Sequence, residues 1–229
     1  MITATSAKPA TFEHMNRLCY GDNLDALRAL DSESIDLIYL DPPYNSKRVY
    51  NCSFGAKAQA KAFDDNWSWG QEQIRWLNDI NDRNKNVWCL LNCLMKTFKR
   101  NDGLPSYLVA MTVRLMEMHR VLKITGSIYL HVDPTASHYL KMVMDQIFGG
   151  GNFRNEIIWA YRKWSNSPRF FQKNHDTVLF YSKTDEYQFN PQTTTDLTVS
   201  RQAKLAKGYD SNVVEGGIKQ LIVFDKNIR

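Results

Sequence analysis

Apolar residues along the chain fall into two patterns: short continuous runs, and positions spaced three or four residues apart. Continuous runs bounded by polar or turn-forming residues predict strands. Such runs lie at 35–40, 126–132, 155–161 and 177–181. The run at 35–40 has no polar residue after Asp36, which predicts a strand buried on both faces of a sheet.

Spaced apolar positions predict helices between these strands. The expected helices span about 71–99, 106–122 and 134–148. Before the first strand, Asp22 or Asn23 is expected to cap a short helix that extends to Leu30. Strands separated by helices indicate an α/β sheet whose strands are joined by crossovers. A shift in composition near residue 190 marks a candidate domain boundary.

The strand at 35–40 leads directly into the corner Asp41-Pro42-Pro43-Tyr44. The two prolines remove two backbone donors, so the chain must leave the sheet here. Open α/β sheets bind ligands just beyond the carboxyl ends of their strands, which is where this corner lies. The polar stretch that follows, at 45–66, is expected to be a long loop.

The residue types at this corner suit the exocyclic amino group of a nucleobase. Such a nitrogen is a poor nucleophile because its lone pair is delocalised into the ring. Ionised Asp41 only accepts hydrogen bonds, and the carbonyl of Pro42 is a second acceptor. Two fixed acceptors that bind both N–H groups would draw the nitrogen toward tetrahedral geometry and free its lone pair. Tyr44 offers a flat ring on which an extruded base could stack.

A purely structural role is the alternative for these residues. A proline turn after a strand would use Asp41 to cap backbone amides and would pack Tyr44 against the fold. Asp22 has a similar alternative, because an Asp before a helix commonly serves as its N-cap.

Composition narrows the function classes only slightly. The chain of 229 residues has a net charge of +5, which tolerates an anionic partner without requiring one. No apolar stretch could span a bilayer and the first ten residues do not resemble a signal peptide, so we expect a cytoplasmic protein without a membrane partner. Cys89 and Cys93 lie one helical turn apart without histidines at ligand spacing, which predicts buried thiols rather than a metal site.

The segment Asp41-Pro42-Pro43-Tyr44-Asn45 resembles the catalytic motif of the adenine-type amino-methyltransferases of DNA. Its surroundings are similar to the β group of that family, which includes the modification subunits of type III restriction systems. Further similar segments follow in the family's order and lie at 20–24, 126–133, 153–159 and 175–181. The resemblance covers about residues 12–190.

The resemblance implies a Rossmann-like fold that uses S-adenosylmethionine as the methyl donor. By it, Asp41, Pro42 and Pro43 form the catalytic corner, and Tyr44 stacks on the flipped base. The cofactor-binding residues that it implies are Asp22, Asn23 and Asp41, with Asp22 at the adenine ring of the cofactor.

Four residues near the expected cleft have less specific roles. A plain loop role is expected for His131 and Asp133, which lie at the end of a predicted strand. Trp67 and Trp69 either stack on DNA or pack against the protein.

The chain departs from the family in one respect. The family's second signature, Phe-x-Gly-x-Gly, is absent, and the run at 148–151 fails that pattern and follows a predicted helix. The resemblance therefore implies an incomplete methyltransferase fold, with residues 1–190 as the catalytic half and 191–229 as the start of a target-recognition region. The strand at 35–40 would then expose one hydrophobic edge. We expect the chain alone to be inactive or to need a partner chain, with a truncated gene as the simplest cause.

The expected function is methyl transfer to N6 of a flipped adenine in double-stranded DNA, within a restriction-modification system. A restriction subunit, or a complementary chain with the glycine motif, is a candidate partner. One alternative is cytosine-N4 methylation, in which the family usually has Ser in place of Asp41. Glutamine or RNA amino-methyltransferases, which usually have Asn there, are a second alternative. The third is an inactive DNA-binding remnant that lacks the cofactor motif.

Overall fold

The computed structural model describes the chain at residues 19, 21–43, 49–51, 61–64, 67–98, 103–162, 169 and 171–191. Tyr44 and residues 192–229 lie outside this part, so the expected role of Tyr44 and the expected target-recognition region stay predictions. The described helices are α1 (Asn23–Arg28), α2 (Gln71–Arg83), α3 (Lys85–Thr97), α4 (Leu104–Val121) and α5 (Ser137–Met144). The described strands are β1 (Ile35–Leu40), β2 (Val49–Asn51), β3 (Lys61–Asp64), β4 (Leu122–Val132), β5 (Phe153–Ala160) and β6 (His175–Ser182).

Four of these strands form one mixed sheet in the order β1-β4-β6-β5. Strands β1 and β4 pair in parallel, whereas β4 with β6 and β6 with β5 pair antiparallel. A parallel pair requires a crossover, which the chain makes through α2, α3 and α4. The short strands β2 and β3 pair with each other in a separate antiparallel sheet. The expected α/β class is confirmed.

The core lies between helix α4 and one face of the main sheet. Ile128, Leu130 and Leu179 belong to the same buried cluster as most of α4. Ile38 and Leu40 of β1 pack against that cluster. Alternate residues of a strand point to opposite faces, so these five residues all lie on one face of the sheet. That face is the one that packs against the core.

The opposite face of the sheet also carries apolar side chains, and several of them are exposed. Leu37 and Tyr39 of β1 are 60% and 62% exposed. Nearer the centre, Tyr129 stacks on Phe180 with ring centroids 4.4 Å apart. The segment after β6 adds Phe189, whose ring centroid lies 6.1 Å from that of Phe180. This face is therefore apolar and aromatic but only partly covered within the described chain.

Burial of β1 differs from the expectation. The strand was expected to be buried on both faces, and this is wrong, because Leu37 and Tyr39 point away from the packed face. A continuous apolar run does not reveal whether anything covers its second face. Strand β1 is also an edge strand of the described sheet, in agreement with the expected exposed hydrophobic edge.

The helix expected at 71–99 is two helices, α2 and α3, with Asn84 between them. Asn84 has extended backbone, with φ −152° and ψ 95°. Its side-chain oxygen accepts hydrogen bonds from the backbone N–H groups of Asn86 at 3.1 Å and Val87 at 3.2 Å. Asn84 therefore ends α2 and caps α3, since its side chain replaces the missing helical acceptors.

The cysteines of α3 are exposed, so the expectation of buried thiols is wrong. Val87 and Leu91 are the buried residues of this helix. Cys89 and Cys93 are spaced one helical turn apart on the side that faces solvent.

Two loop boundaries also differ from expectation. The helix expected to open at Pro134 begins at Ser137, because Asp133 holds a turn: its carboxylate accepts hydrogen bonds from the Thr135 backbone N–H at 3.0 Å and the Thr135 hydroxyl at 2.9 Å. The loop expected at 45–66 contains β2 and β3. No helix in the described ranges is long and apolar enough to cross a membrane.

Glu117 joins three helices through two arginines. Its carboxylate lies 2.8 Å from Arg83 Nη1 of α2 and accepts a 2.7 Å hydrogen bond from Arg120 Nε within α4. Arg120 Nη2 in turn donates to the carbonyl of Leu27 in α1 at 2.8 Å. Burial would raise the pKa of Glu117, but the hydrogen bonds and positive charges of Arg120 and Arg83 outweigh it and lower the pKa below its ordinary value.

Arg114 of α4 likewise connects α4 to α1 through hydrogen bonds. Asp22 is the N-cap of α1, and its Oδ1 accepts a hydrogen bond from the backbone N–H of Leu24 at 2.9 Å. Arg114 Nη2 donates to both Asp22 oxygens, at 2.8 and 2.9 Å, and Arg114 Nε donates to Asn23 Oδ1 at 2.8 Å. The Arg114 guanidinium also lies 5.0 Å from the ring centroid of Trp76. Asp22 therefore has the capping role that was its structural alternative.

We expect Glu117→Gln to lower the free energy of unfolding at pH 7 by about 1–3 kcal/mol, because it leaves two arginines without their shared anion. The lowered pKa of Glu117 means that its contribution is present above the unfolded-state pKa and is lost as the pH falls through the folded-state pKa. The difference between variant and wild type should therefore shrink below the ordinary pKa of 4.5. Urea unfolding across pH measures it, with the exposed Glu186→Gln as the control. A difference independent of pH would contradict the ion-pair account.

Asp22→Ala should lower stability by about 1–2 kcal/mol, because it removes both a helix cap and the anionic partner of Arg114. Asp22→Asn keeps an acceptor for the Leu24 N–H and should cost less. Thermal unfolding of the two variants, with the exposed Asp31→Ala as the control, checks this order. Wild-type stability of Asp22→Ala would show that the cap and the ion pair contribute nothing.

Candidate active site at the carboxyl end of the central strands

Three strands bring polar side chains to one end of the main sheet. Because β1 and β4 are parallel, their carboxyl ends meet at the same edge, and the antiparallel strand β6 begins there. Leu40 pairs with Leu130, so the next residues, Asp41 and His131, come side by side. The start of β6 adds Asp176 to the same edge.

The imidazole of His131 lies between the carboxylates of Asp41 and Asp176. Its Nδ1 is 3.4 Å from Asp41 Oδ1, and its Nε2 is 3.6 Å from Asp176 Oδ2. On the far side, the Tyr161 hydroxyl donates to Asp176 Oδ1 at 3.1 Å. The Tyr39 hydroxyl lies 3.5 Å from His131 Nδ1. These side chains form a continuous polar row across the end of the sheet.

Exposure increases along this row toward Asp41. The side chains of His131 and Asp176 are each 18% exposed, whereas that of Asp41 is 57% exposed. Pro42 is buried and Pro43 is half-buried, so the backbone of the corner is anchored to the fold. Burial, together with the negative charge of Asp41, raises the pKa of Tyr39 above its ordinary value, so this hydroxyl stays protonated at neutral pH. The corner thus presents an accessible acceptor on a fixed support.

Of the residues expected at the catalytic corner, the structure places Asp41, Pro42 and Pro43 directly beyond β1, as the motif predicted. Tyr44 lies outside the described residues. His131 was expected to have a plain loop role, but it belongs to β4 and contacts the corner. Asp133 holds a turn, in keeping with the loop role expected for it.

The sequence did not predict that Asp176, Tyr161 and His131 lie together at this site. Pairing the runs at 35–40 and 126–132 in parallel would have put His131 beside Asp41. For Asp176 and Tyr161 the sequence offers no comparable signal, because their positions depend on the antiparallel register of β5 and β6.

The residues that resemblance assigns to the cofactor lie in two places. Asp22 and Asn23 are bound by Arg114 beside α4, and Asp41 lies at the end of β1. A ribose or amino group needs an accessible acceptor, and the side chains of Asp22 and Asp41 are 41% and 57% exposed. These residues fit such a ligand, although part of the Asp22 carboxylate is already occupied by Arg114.

A cavity of about 780 Å³ lies between the loop before α2 and the start of α4. Its lining residues are Trp67, Ser68, Trp69, Met95, Phe98, Gly103, Pro105 and Ser106. Trp67 packs edge-on against the buried ring of Tyr107, with centroids 5.4 Å apart. Trp69 is about half exposed. Trp67 therefore has a packing role, and stacking of either ring on DNA stays a prediction.

Several known proteins are similar to this chain in sequence. The StyLTI Mod subunit of a type III restriction-modification enzyme, from Salmonella typhimurium, is 27% identical over 75% of this chain and 24% of its own length. The EcoP15I Mod subunit from Escherichia coli is 26% identical over 86% of this chain and 30% of its own length. The chain therefore spans less than a third of the length of these two relatives.

The M.KpnI type II methyltransferase of Klebsiella pneumoniae is 29% identical over 75% of this chain and 33% of its own length. Among solved structures, the PvuII DNA methyltransferase, which is cytosine-N4-specific, aligns with a TM-score of 0.44 and 13% identity over 83% of this chain and 62% of its own.

A family model described as DNA methylase matches residues 35–219. This match covers most of the chain and includes the four strands of the main sheet together with Asp41. The matched region thus contains the mixed α/β sheet and its candidate site, and the chain belongs to the DNA methylase family.

Proposed function

We propose that this chain carries the catalytic corner of a DNA methyltransferase that transfers a methyl group from S-adenosylmethionine to N6 of adenine, in a restriction-modification system. The observation that supports this most is the position of Asp41. It is an exposed carboxylate on a rigid proline corner at the carboxyl end of a strand, where open α/β sheets bind ligands.

The proposed chemistry relies on two acceptors that the chain itself supplies. Asp41 and the carbonyl of Pro42 accept hydrogen bonds from the two N–H groups of the target amino nitrogen. This draws the nitrogen toward tetrahedral geometry and makes its lone pair available. S-adenosylmethionine, when bound, supplies the electrophilic methyl group, and holding the nitrogen in line with it provides much of the acceleration. In this proposal the carboxylate of Asp41, as the hydrogen-bond acceptor of that nitrogen, takes the proton that the methylated nitrogen loses.

Asp22 and Asn23 are the proposed contacts to the adenosine part of the cofactor. The Asp22 oxygens remain partly exposed although Arg114 binds both of them. Tyr44 is the proposed stacking surface for a base that has left the duplex.

The exposed apolar surface of β1 supports the proposal that a second part of the methyltransferase packs against this chain. Leu37 and Tyr39 offer apolar contact beside the edge of β1, which no other strand of the described ranges pairs with. We propose that this surface meets the part of the methyltransferase that carries Phe-x-Gly-x-Gly, either in a longer chain or in a partner chain. A restriction subunit is the proposed further partner, because several relatives are Mod subunits of type III restriction-modification enzymes. With double-stranded DNA as its proposed substrate, the protein is proposed to act in the cytoplasm.

We expect Asp41→Ala to lower the rate of methyl transfer to DNA by at least about 100-fold, because the amino group loses its charged acceptor. The assay follows the labelled methyl group of S-adenosylmethionine into DNA, in the presence of the half that carries the glycine motif. Asp36→Ala, which removes an exposed carboxylate from the other end of β1, is the matched control and should retain activity.

Equal activity of wild type and Asp41→Ala would show that Asp41 is not the acceptor. Mass analysis of digested DNA identifies the methylated base. Labelled N4-methylcytosine in place of N6-methyladenine would establish the cytosine alternative, and no transfer by the wild type would establish the inactive remnant.

A further inference from the structure

We propose that His131 is a positioning residue for Asp41: its imidazole, which lies between the carboxylates of Asp41 and Asp176, fixes the orientation of the Asp41 carboxylate toward the target amino group. This inference rests on the proposed function, since it concerns how the same acceptor is held.

Strand pairing, independently of any catalytic role, brings His131 to this position. Residues 37–40 of β1 pair residue by residue with 127–130 of β4, and Asp41 and His131 are the next residues along the two segments. His131 also pairs with Val178 across the antiparallel partner β6. The backbone of His131 is therefore paired to β6 at the end of the parallel ladder between β1 and β4.

The geometry at the ring favours a role in orientation. A ring nitrogen that carries a proton can donate it to a carboxylate. Nδ1 faces Asp41 at 3.4 Å and Nε2 faces Asp176 at 3.6 Å, so each nitrogen has its own acidic neighbour. Asp176 is itself held by the Tyr161 hydroxyl at 3.1 Å. Rotation of the imidazole would move Nδ1 away from Asp41 Oδ1 and Nε2 away from Asp176 Oδ2.

Asp41 needs such a restraint because most of its side chain is exposed. Its side chain is 57% exposed, so each contact to an oxygen of its carboxylate limits the rotation of that group. A catalytic acceptor must be aimed before the substrate arrives, and a displacement of about 1 Å can cost about 100-fold in rate. His131 Nδ1 lies 3.4 Å from Oδ1 of Asp41, and this contact limits the orientations that the carboxylate can adopt.

The test uses three substitutions that keep different parts of the imidazole. His131→Asn places an amide N–H where Nδ1 stood and so keeps a donor toward Asp41. His131→Gln places its N–H where Nε2 stood and so keeps a donor toward Asp176. His131→Phe keeps an aromatic ring and removes both ring nitrogens. The exposed histidine of α5, replaced in His138→Phe, is the matched control.

Steady-state methyl transfer to DNA is measured for each variant together with the glycine-motif half. We expect His131→Phe to lower kcat by about 10–100-fold while KM for DNA and for S-adenosylmethionine changes less than about threefold. His131→Asn should recover much of the lost kcat and His131→Gln much less. If the variants' thermal unfolding midpoints follow a different order from their kcat values, the loss of kcat reflects the orientation of Asp41 rather than the stability of the fold.

Unchanged kcat in His131→Phe would overturn the inference, and so would equal losses in all three variants that parallel their loss of stability. Failure of the proposed function looks different, because the wild type would then transfer no methyl group to DNA. If the wild type is active and Asp41→Ala is not, the proposed function stands and the His131 series decides the inference alone.

Discussion

Parallel pairing of β1 with β4 determines which side chains meet at the carboxyl end of the sheet. Leu40 lies opposite Leu130, so Asp41 leaves its strand beside His131. A slip of one residue would turn Ile38 and Leu40 out of the core and would reverse the faces of the whole strand. Packing of these apolar residues thus sets the register, and the register sets the site. The acceptor corner and its histidine are consequences of how the core is filled.

The two faces of the sheet differ in a way that bears on function. One face is buried under α4 and carries the core, whereas the other exposes Leu37 and Tyr39 beside the edge of β1. The arginine contacts of Glu117 and Asp22 hold the helices together on the packed side. The packed side of the sheet is therefore internally connected, whereas described residues cover only part of its other side.

Sequence patterns predicted the parts of the structure that local residues determine. They failed for the parts that depend on contacts with other segments. The apolar run and two prolines predicted β1 and its corner, and the Asp22 cap followed from its position before a helix. The break at Asn84 was missed because apolar spacing continues on both sides of it. Exposure of Leu37 was missed because an apolar run does not show what covers it. The place of Asp176 beside His131 depends on strand pairing across 45 positions, which no local pattern encodes.

The contact between His131 and the two carboxylates is the central claim, and the ring nitrogens of histidine report it directly. In a chain labelled with ¹⁵N at histidine, two-bond ¹H–¹⁵N spectra resolve Nδ1 and Nε2 of His131. Asp41→Asn should move the Nδ1 resonance more than the Nε2 resonance, and Asp176→Asn should do the reverse, because each carboxylate faces one nitrogen. If neither substitution moved either resonance, the imidazole would not lie between these carboxylates and the account of the site would be contradicted.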